Sequence, residues 1–576
     1  ASPGPELERA LGAAVAANAR LVGVAHLANL DLEEPSRADE IAATQSRGGY
    51  SVVALLQEIL KRELDTPPRL WLVTRGAQPG HGGPIAVAQS GVWGLGRVLA
   101  EEHPECWGGL VDLDGGMTAP AAAALLGAEL LQQADEDGVT LHGGVRRVLR
   151  LVPWAEPVAG AAVQCRPEAA YLVTGGLGGV GLEVARWLVD RGARQLVLAG
   201  RTEIPPRAEW SAVGERYARQ IAGILDLESR GARVEAPAID VADERQVADL
   251  VEARRRQGLP EIRGVVHAAV VAEDRLLASV DEASFAKVLR PKVSGSFVLD
   301  RAFAGPEVDF FVFFSSLGSL LGPPGQGSYA AANAWLDALA HERRRRGRHA
   351  LAVNWGAWAG LGLAQSEGAR RTIEELERRG VQSFSGPEGV EALGRLLAGD
   401  AVQGAVMPAD WKRFAEVASR TRVPSIVRDR VSPAADVKKT GPSLAERLRA
   451  SEPADRRGLL EEHLRSQLVA VLRVAPEKVD AQRPMGSLGL ESLTALELRR
   501  RLEVSLGIAL SATVMWNYPT LSALAGHLAS RLGLAPEAVA AVAPAPARTA
   551  PVSPDVVGLS DEDALRALMG GKGGGA

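Results

Sequence analysis

The chain has 576 residues, enough for two to four ordinary domains, and its 46% hydrophobic and 23% charged residues are usual for a globular protein. A net charge of −5 offers no footprint for nucleic acid, and two cysteines, Cys106 and Cys165, make neither a disulfide framework nor a metal cluster but suit a reducing cytoplasm. No apolar run reaches the roughly 18 residues of a membrane span, no signal peptide opens the chain, and its Ser-Pro-Gly-Pro start reads as a cut from a longer polypeptide.

From about residue 20, strand-like and helix-like stretches alternate. "RLVGVAHLANLD" leads into the helical "YSVVALLQEIL". "RLWLVTRG" is followed by "VAQSGVWGLGRVLAEEHP", and "GGLVDLD" by "APAAAALLGAELLQQ". Such alternation predicts a parallel, doubly wound sheet over residues 1–160. The turn after Val73 reads Thr74-Arg75-Gly76-Ala77-Gln78 and lacks the glycine spacing of a nucleotide turn, so this half is expected to be structural and cofactor-free. A second α/β run covers 165–420. Residues 421–445, with three prolines and clustered charge, read as a linker. Residues 446–531 are helical throughout, and 532–576, Ala/Pro-rich and then Gly-rich with one short helical pattern, read as a flexible tail.

The second run opens with "AAYLVTGGLGGVGLEVARWLV". A buried strand ends at Thr174, a turn holds Gly175, Gly176, Leu177, Gly178, Gly179 and Val180, and a helix starts near Gly181. Glycines at 175, 179 and 181 give a tight turn and bring backbone close to a pyrophosphate, with the positive helix end aimed at it. The next strand ends in Gly200-Arg201, where an arginine suits a 2′-phosphate and hence NADPH over NADH. Asp240, beside Val241, ends another strand and is placed to bond the adenine amino group. His267, Ala268 and Ala269 end a further one, suited to the nicotinamide ribose.

"VDFFVFFSSLGSLLGPPGQGSYAAANAWLDALAHERRRR" runs an apolar strand to Ser315-Ser316, a Gly/Pro loop, and a helix opened by Tyr329 with Asn333 one turn later. This resembles the short-chain dehydrogenase/reductase superfamily, in particular the ketoreductases of type I modular polyketide synthases. Those enzymes carry Asn four residues after the tyrosine and move the lysine to an earlier helix, where "VLRPKVSGSF" supplies Lys292. The resemblance implies that Tyr329 protonates the alkoxide formed as hydride reaches a β-carbonyl. Ser316 would hold that oxygen, and Asn333 a water or the lysine. Lys292 is expected to lower the tyrosine pKa from its ordinary value of about 10. The D (3R) class shows Leu-Asp-Asp where this chain has Ala272-Glu273-Asp274, and the opposite class shows Trp at Leu321. With Pro324, these favour the D alcohol. Trp358 falls where the family places its substrate lid.

"MGSLGLESLTALELRRRLEVSLGIALSATVMWNYPTLSALAGHLA" resembles a polyketide acyl carrier protein, with Ser492 as the serine that takes 4′-phosphopantetheine and Glu491 where Asp is usual. Leu498 and Leu502 are expected in the bundle core. The expected fold class is therefore α/β: two Rossmann-like subdomains, one structural and one catalytic, then an all-α four-helix carrier. Implied partners are the polyketide acyl intermediate, ketosynthase and acyltransferase domains, and a phosphopantetheinyl transferase, without nucleic acid or membrane. Homodimerisation is expected only through a full synthase. The competing readings are a reduction-silent scaffold or C2 epimerase beside a working carrier, and a carrier with a mere partner-binding surface.

Overall fold

The computed structural model describes residues 8–9, 11–14, 21–62, 64, 66–80, 82–132, 136–154, 163–305, 308–362, 367–418, 423–431, 444–508, 510 and 514–534. The tail beyond 534 and residues 432–443 of the expected linker lie outside them. The first half holds β1 (Gly23–His26), α1 (Ile41–Gln45), α2 (Ser51–Leu60), β2 (Arg69–Arg75), α3 (Val87–Glu102), β3 (Trp107–Leu113), α4 (Ala119–Leu131), β4 (Gly138–His142) and β5 (Val145–Val148). The strands lie in chain order and are parallel from β1 to β4; β5 returns antiparallel. That hairpin departs from the purely parallel expectation. Its cause is Gly143-Gly144, at φ 58° and 74°, a two-residue turn whose twist suits a hairpin.

The glycine-poor turn after β2 has its own anion. Buried Asp112 accepts from Ala77 N (2.9 Å), Gln78 N (3.1 Å) and Thr74 Oγ1 (2.7 Å), and His142 Nε2 lies 2.9 Å from its second oxygen. Amides that would face a phosphate in a nucleotide site are thus bonded to a carboxylate.

The second half contains β6 (Ala170–Thr174), α5 (Gly179–Asp190), β7 (Gln195–Ala199), α6 (Glu215–Ser229), β8 (Arg233–Glu235), α7 (Glu244–Arg256), β9 (Ile262–His267), α8 (Glu282–Ala302), β10 (Phe310–Ser316), α9 (Gly318–Leu321), α10 (Gly327–Arg345), β11 (Leu351–Trp355), α11 (Glu367–Arg378), α12 (Gly386–Ala398), β12 (Gln403–Val406) and α13 (Trp411–Ala418). Its seven strands, all parallel, run β12-β11-β10-β9-β6-β7-β8, so the order reverses between β6 and β9. β10 is apolar on both faces: Phe311 and Phe313 enter one core, Phe310, Val312 and Phe314 the other. The first of these cores continues into the first half through Leu56, Val92 and Trp93. There α3 lies backbone-to-backbone on α10, and a Cβ on Gly94 would stand 2.1 Å from Ala330 O. The structural half therefore props the helix that carries Tyr329.

Residues 425–430, inside the segment read as linker, form a 3-10 turn with Ile426 and Val427 buried. Ile426 O accepts from Leu151 N (2.7 Å), and Ser425 bonds Asp137 through both backbone amides. The apolar pair, not the prolines around it, decides the local structure.

The helical region comprises α14 (Leu444–Ala450), α15 (Pro453–Leu472), α16 (Ser492–Leu506), α17 (Val514–Asn517) and α18 (Leu521–Arg531). Leu498 and Leu502 meet Leu464, Leu468, Leu524 and Leu528 in one buried core. Glu491, rather than Ser492, is the N-cap of α16, and Ser492 is its first helical residue. No helix among the described residues is long and apolar enough to cross a membrane, and among them no group of three metal-ligating side chains is assembled.

Candidate active site

A cavity of about 1180 Å³ opens at the carboxyl ends of β6, β9 and β10, where the strand order reverses. Gly175 turns at φ 67°, with the carbonyl of Ala268 3.0 Å from where a Cβ would be. A Cβ on Gly181 would stand 2.4 Å from Gly175 O, so only glycine lets α5 start this close to the turn. The N-cap of α5, Gly178, brings no side chain to its first amides. The turn is thus a bare cradle at a positive helix end, which fits a dinucleotide pyrophosphate.

Gly175, Leu177, Gly178, Gly179, Val180, Gly181, Arg201, Asp240, Val241, Ala268 and Ala269 all line the cavity. Thr174, Gly176 and His267, expected to touch the cofactor, do not. Thr174 Oγ1 lies 2.8 Å from His267 Nδ1 and accepts from Ala268 N and Ala269 N at 3.2 Å, so these side chains bind β6 to β9 behind the wall. Burial lowers the His267 pKa to about 3, with Lys292 adding to the effect, and keeps the ring neutral. Asp240 accepts from Ala242 N (2.9 Å) and from Arg290 Nη2 (2.9 Å) at the rim. Arg201 is exposed at the other side and has no ion-pair partner among the described residues.

Ser316, the last residue of β10, Tyr329 in the first turn of α10 and Lys292 in α8 reach the same cavity. Lys292 is only 2% exposed; its Nζ donates to Phe314 O (2.5 Å) and sits 5.6 Å from the Tyr329 ring centre. Burial depresses its pKa to about 7, against a weaker upward pull from Asp337. The expectation that this lysine lowers the phenol pKa is corrected. Burial pushes the Tyr329 hydroxyl above its ordinary range, hydrogen bonding by Ser316 and Asn333 opposes this, and the Asp274 charge adds to the rise. Asn333 is fully buried. Its Nδ2 donates to Tyr329 O (2.7 Å), while Oδ1 has no partner among the described residues.

The residues expected to govern stereochemistry divide. Leu321 lines the cavity, and so does Trp358, whose ring also packs on Trp355 and Phe384 at 4.9 and 5.2 Å. Asp274 lies behind the lining beside Gln326, its carboxyl raised by burial against a Gln326 hydrogen bond. Pro324 borders a second hollow instead. Sequence reading missed the support beneath Ser316. Asn354 Nδ2 donates to Asp337 Oδ2 (2.9 Å) and Ser315 Oγ (3.0 Å), and Ser319 Oγ to Asp337 Oδ2 (2.8 Å).

The KR domain family matches residues 169–360, the phosphopantetheine attachment site family 462–528, and the Rossmann fold domain of polyketide synthase extender module SpnB 2–151. A solved A1-type ketoreductase is 31% identical, with a TM-score of 0.63 over 74% of this chain and 86% of its own. The chain belongs to the polyketide synthase ketoreductases. Joined to it here is a helical carrier domain of the phosphopantetheine-binding family. The ketoreductase is also 40% identical over 507 residues to a phenolphthiocerol/phthiocerol polyketide synthase of Mycobacterium tuberculosis (strain ATCC 25618 / H37Rv). It is 35% identical over 460 residues to 6-methylsalicylic acid synthase of Aspergillus terreus (strain NIH 2624 / FGSC A1156). These matches cover 87% and 78% of this chain but only 26% and 25% of the relatives, so the chain spans about a quarter of their length.

Proposed function

We propose that this ketoreductase uses NADPH to reduce a β-ketoacyl thioester, carried on phosphopantetheine at Ser492, to the D (3R) alcohol. One arrangement carries the reading: Ser316, Tyr329 and Lys292 face the cavity that also holds the bare glycine turn, so a dinucleotide and a ketone fit side by side. Residues 175–181 would hold the pyrophosphate and the unpaired Arg201 a 2′-phosphate. When bound, the nicotinamide nucleotide supplies the hydride that adds to the β-carbon. Ser316 Oγ donates to the ketone oxygen and shares its growing charge. Tyr329, kept protonated by burial, gives its proton to that oxygen. The high phenol pKa does not block this, because an alkoxide is more basic still. Lys292, near half-protonation at neutral pH, lies beside the resulting phenolate and returns the proton. The open Oδ1 of Asn333 would accept from a water that resupplies the lysine.

The D assignment rests on Asp274 close to Tyr329 and on Leu321, which fills the place of a tryptophan at the cavity wall. Upstream synthase domains would deliver the acyl chain, and a phosphopantetheinyl transferase would load Ser492. The test is incubation of the chain with NADPH and a racemic 2-methyl-3-ketoacyl thioester, followed by chiral analysis. NADPH loss with the D alcohol is expected; an L product removes the stereochemical part, and no NADPH loss removes the whole reading.

A further inference from the structure

A second hollow, of about 1270 Å³, lies between α11, α13 and the carrier, and shares Leu321, Pro323 and Leu376 with the first. Gly489 and Thr494, which flank Ser492 in the chain, line its carrier side. The turn that starts α16 therefore opens onto space continuous with the reaction centre.

The carrier is held there at the C-terminal end of α3. The last carbonyls of a helix lack intrahelical partners and form its negative end, which favours cations. Here Arg499 Nη2 donates to Glu102 O (2.7 Å), and Arg500 Nη2 to Glu101 O and, at 3.2 Å, to the Glu101 carboxylate. Arg499, 2% exposed, also faces Glu105 at 3.7 Å. A further pair, Arg378 with Glu497 at 3.3 Å, joins α11 to α16. The same helix end is tied to the reaction centre. The Glu102 carboxylate accepts from Leu277 N and Gly325 N, both at 2.7 Å, in the loops that follow Asp274 and Pro324.

We propose that the C-terminal end of α3, in the structural subdomain, is the surface on which the carrier docks to deliver its acyl chain for reduction, with Arg499 and Arg500 as the carrier's anchors. The inference rests on the reductase reading and adds the place of delivery. It is tested on the full chain loaded at Ser492 with a β-ketoacyl pantetheine arm, by single-turnover NADPH oxidation, beside steady-state reduction of a diffusible β-ketoacyl thioester. Arg500→Glu and Glu101→Arg each lower the tethered rate roughly tenfold while leaving the diffusible reaction unchanged, and the two together restore part of the loss. Glu101→Arg leaves the carrier itself untouched, and arm loading by the transferase reports an intact carrier in Arg500→Glu. A parental tethered rate in both single variants, or no recovery in the double, overturns the docking surface. A parent chain that reduces neither substrate overturns the reductase reading instead.

Discussion

Lys292 is buried with no carboxylate bonded to it, and that has a measurable cost. Its pKa is about 7 in the folded chain against an ordinary 10.5, because desolvation outweighs the pull of Asp337. At about 1.36 kcal/mol per unit, the gap of roughly 3.5 units corresponds to nearly 5 kcal/mol. The unfolded chain binds the extra proton between these two pH values, so stability rises with pH across that window. The penalty is complete below pH ~7 and gone above ~10.5; between pH 6 and pH 9 about 2.5 kcal/mol of it is relieved. Lys292→Met keeps the length of the side chain and removes the charge. Urea unfolding followed by tryptophan fluorescence, at pH 6 through 9, gives the stability of parent and variant. The parent-minus-variant difference is expected to grow by about 2.5 kcal/mol over that range, since carrier unfolding is common to both and cancels. Parallel pH dependences would refute a buried, depressed Lys292.

Arg201→Ala is expected to raise KM for NADPH about tenfold or more with little change for NADH, measured by steady-state kinetics on both nucleotides, because the unpaired guanidinium is the group placed for the 2′-phosphate. Gly181→Ala forces a Cβ within 2.4 Å of Gly175 O; it should cost roughly 1–3 kcal/mol of stability and weaken NADPH binding, read by thermal melting and cofactor fluorescence. Ser492→Ala should gain no phosphopantetheine by mass spectrometry, yet reduce a diffusible thioester at the parental rate.

What could be read from the sequence was local. The glycine turn, the strand ending at Ser316 and the helix opened by Tyr329 each lie within a short window, where strand, turn and helix signals adjoin. Leu498 and Leu502 follow from helical spacing alone. What escaped depends on tertiary packing. The phenol pKa follows from how deeply α10 is buried, and α10 is placed by α3 some 240 positions earlier in the chain. Thr174 and His267 come from two strands whose pairing turns their side chains toward each other and away from the cavity. Asp112 fills the first-half turn from the neighbouring strand, and Glu102 bonds Leu277 and Gly325 across 175 and 223 positions. Two signals were local all the same: Gly143-Gly144 marked the β4–β5 hairpin, and Ile426-Val427 marked a packed turn within a proline-rich segment.

The central claim is that Tyr329 supplies the proton to the oxygen that hydride addition makes basic. Its most direct test is NADPH oxidation by Tyr329→Phe with a β-ketoacyl thioester, beside a cofactor binding titration of the same protein. The account predicts parental NADPH affinity and turnover lower by about a hundred- to ten-thousand-fold. Turnover at the parental rate with cofactor bound would contradict it.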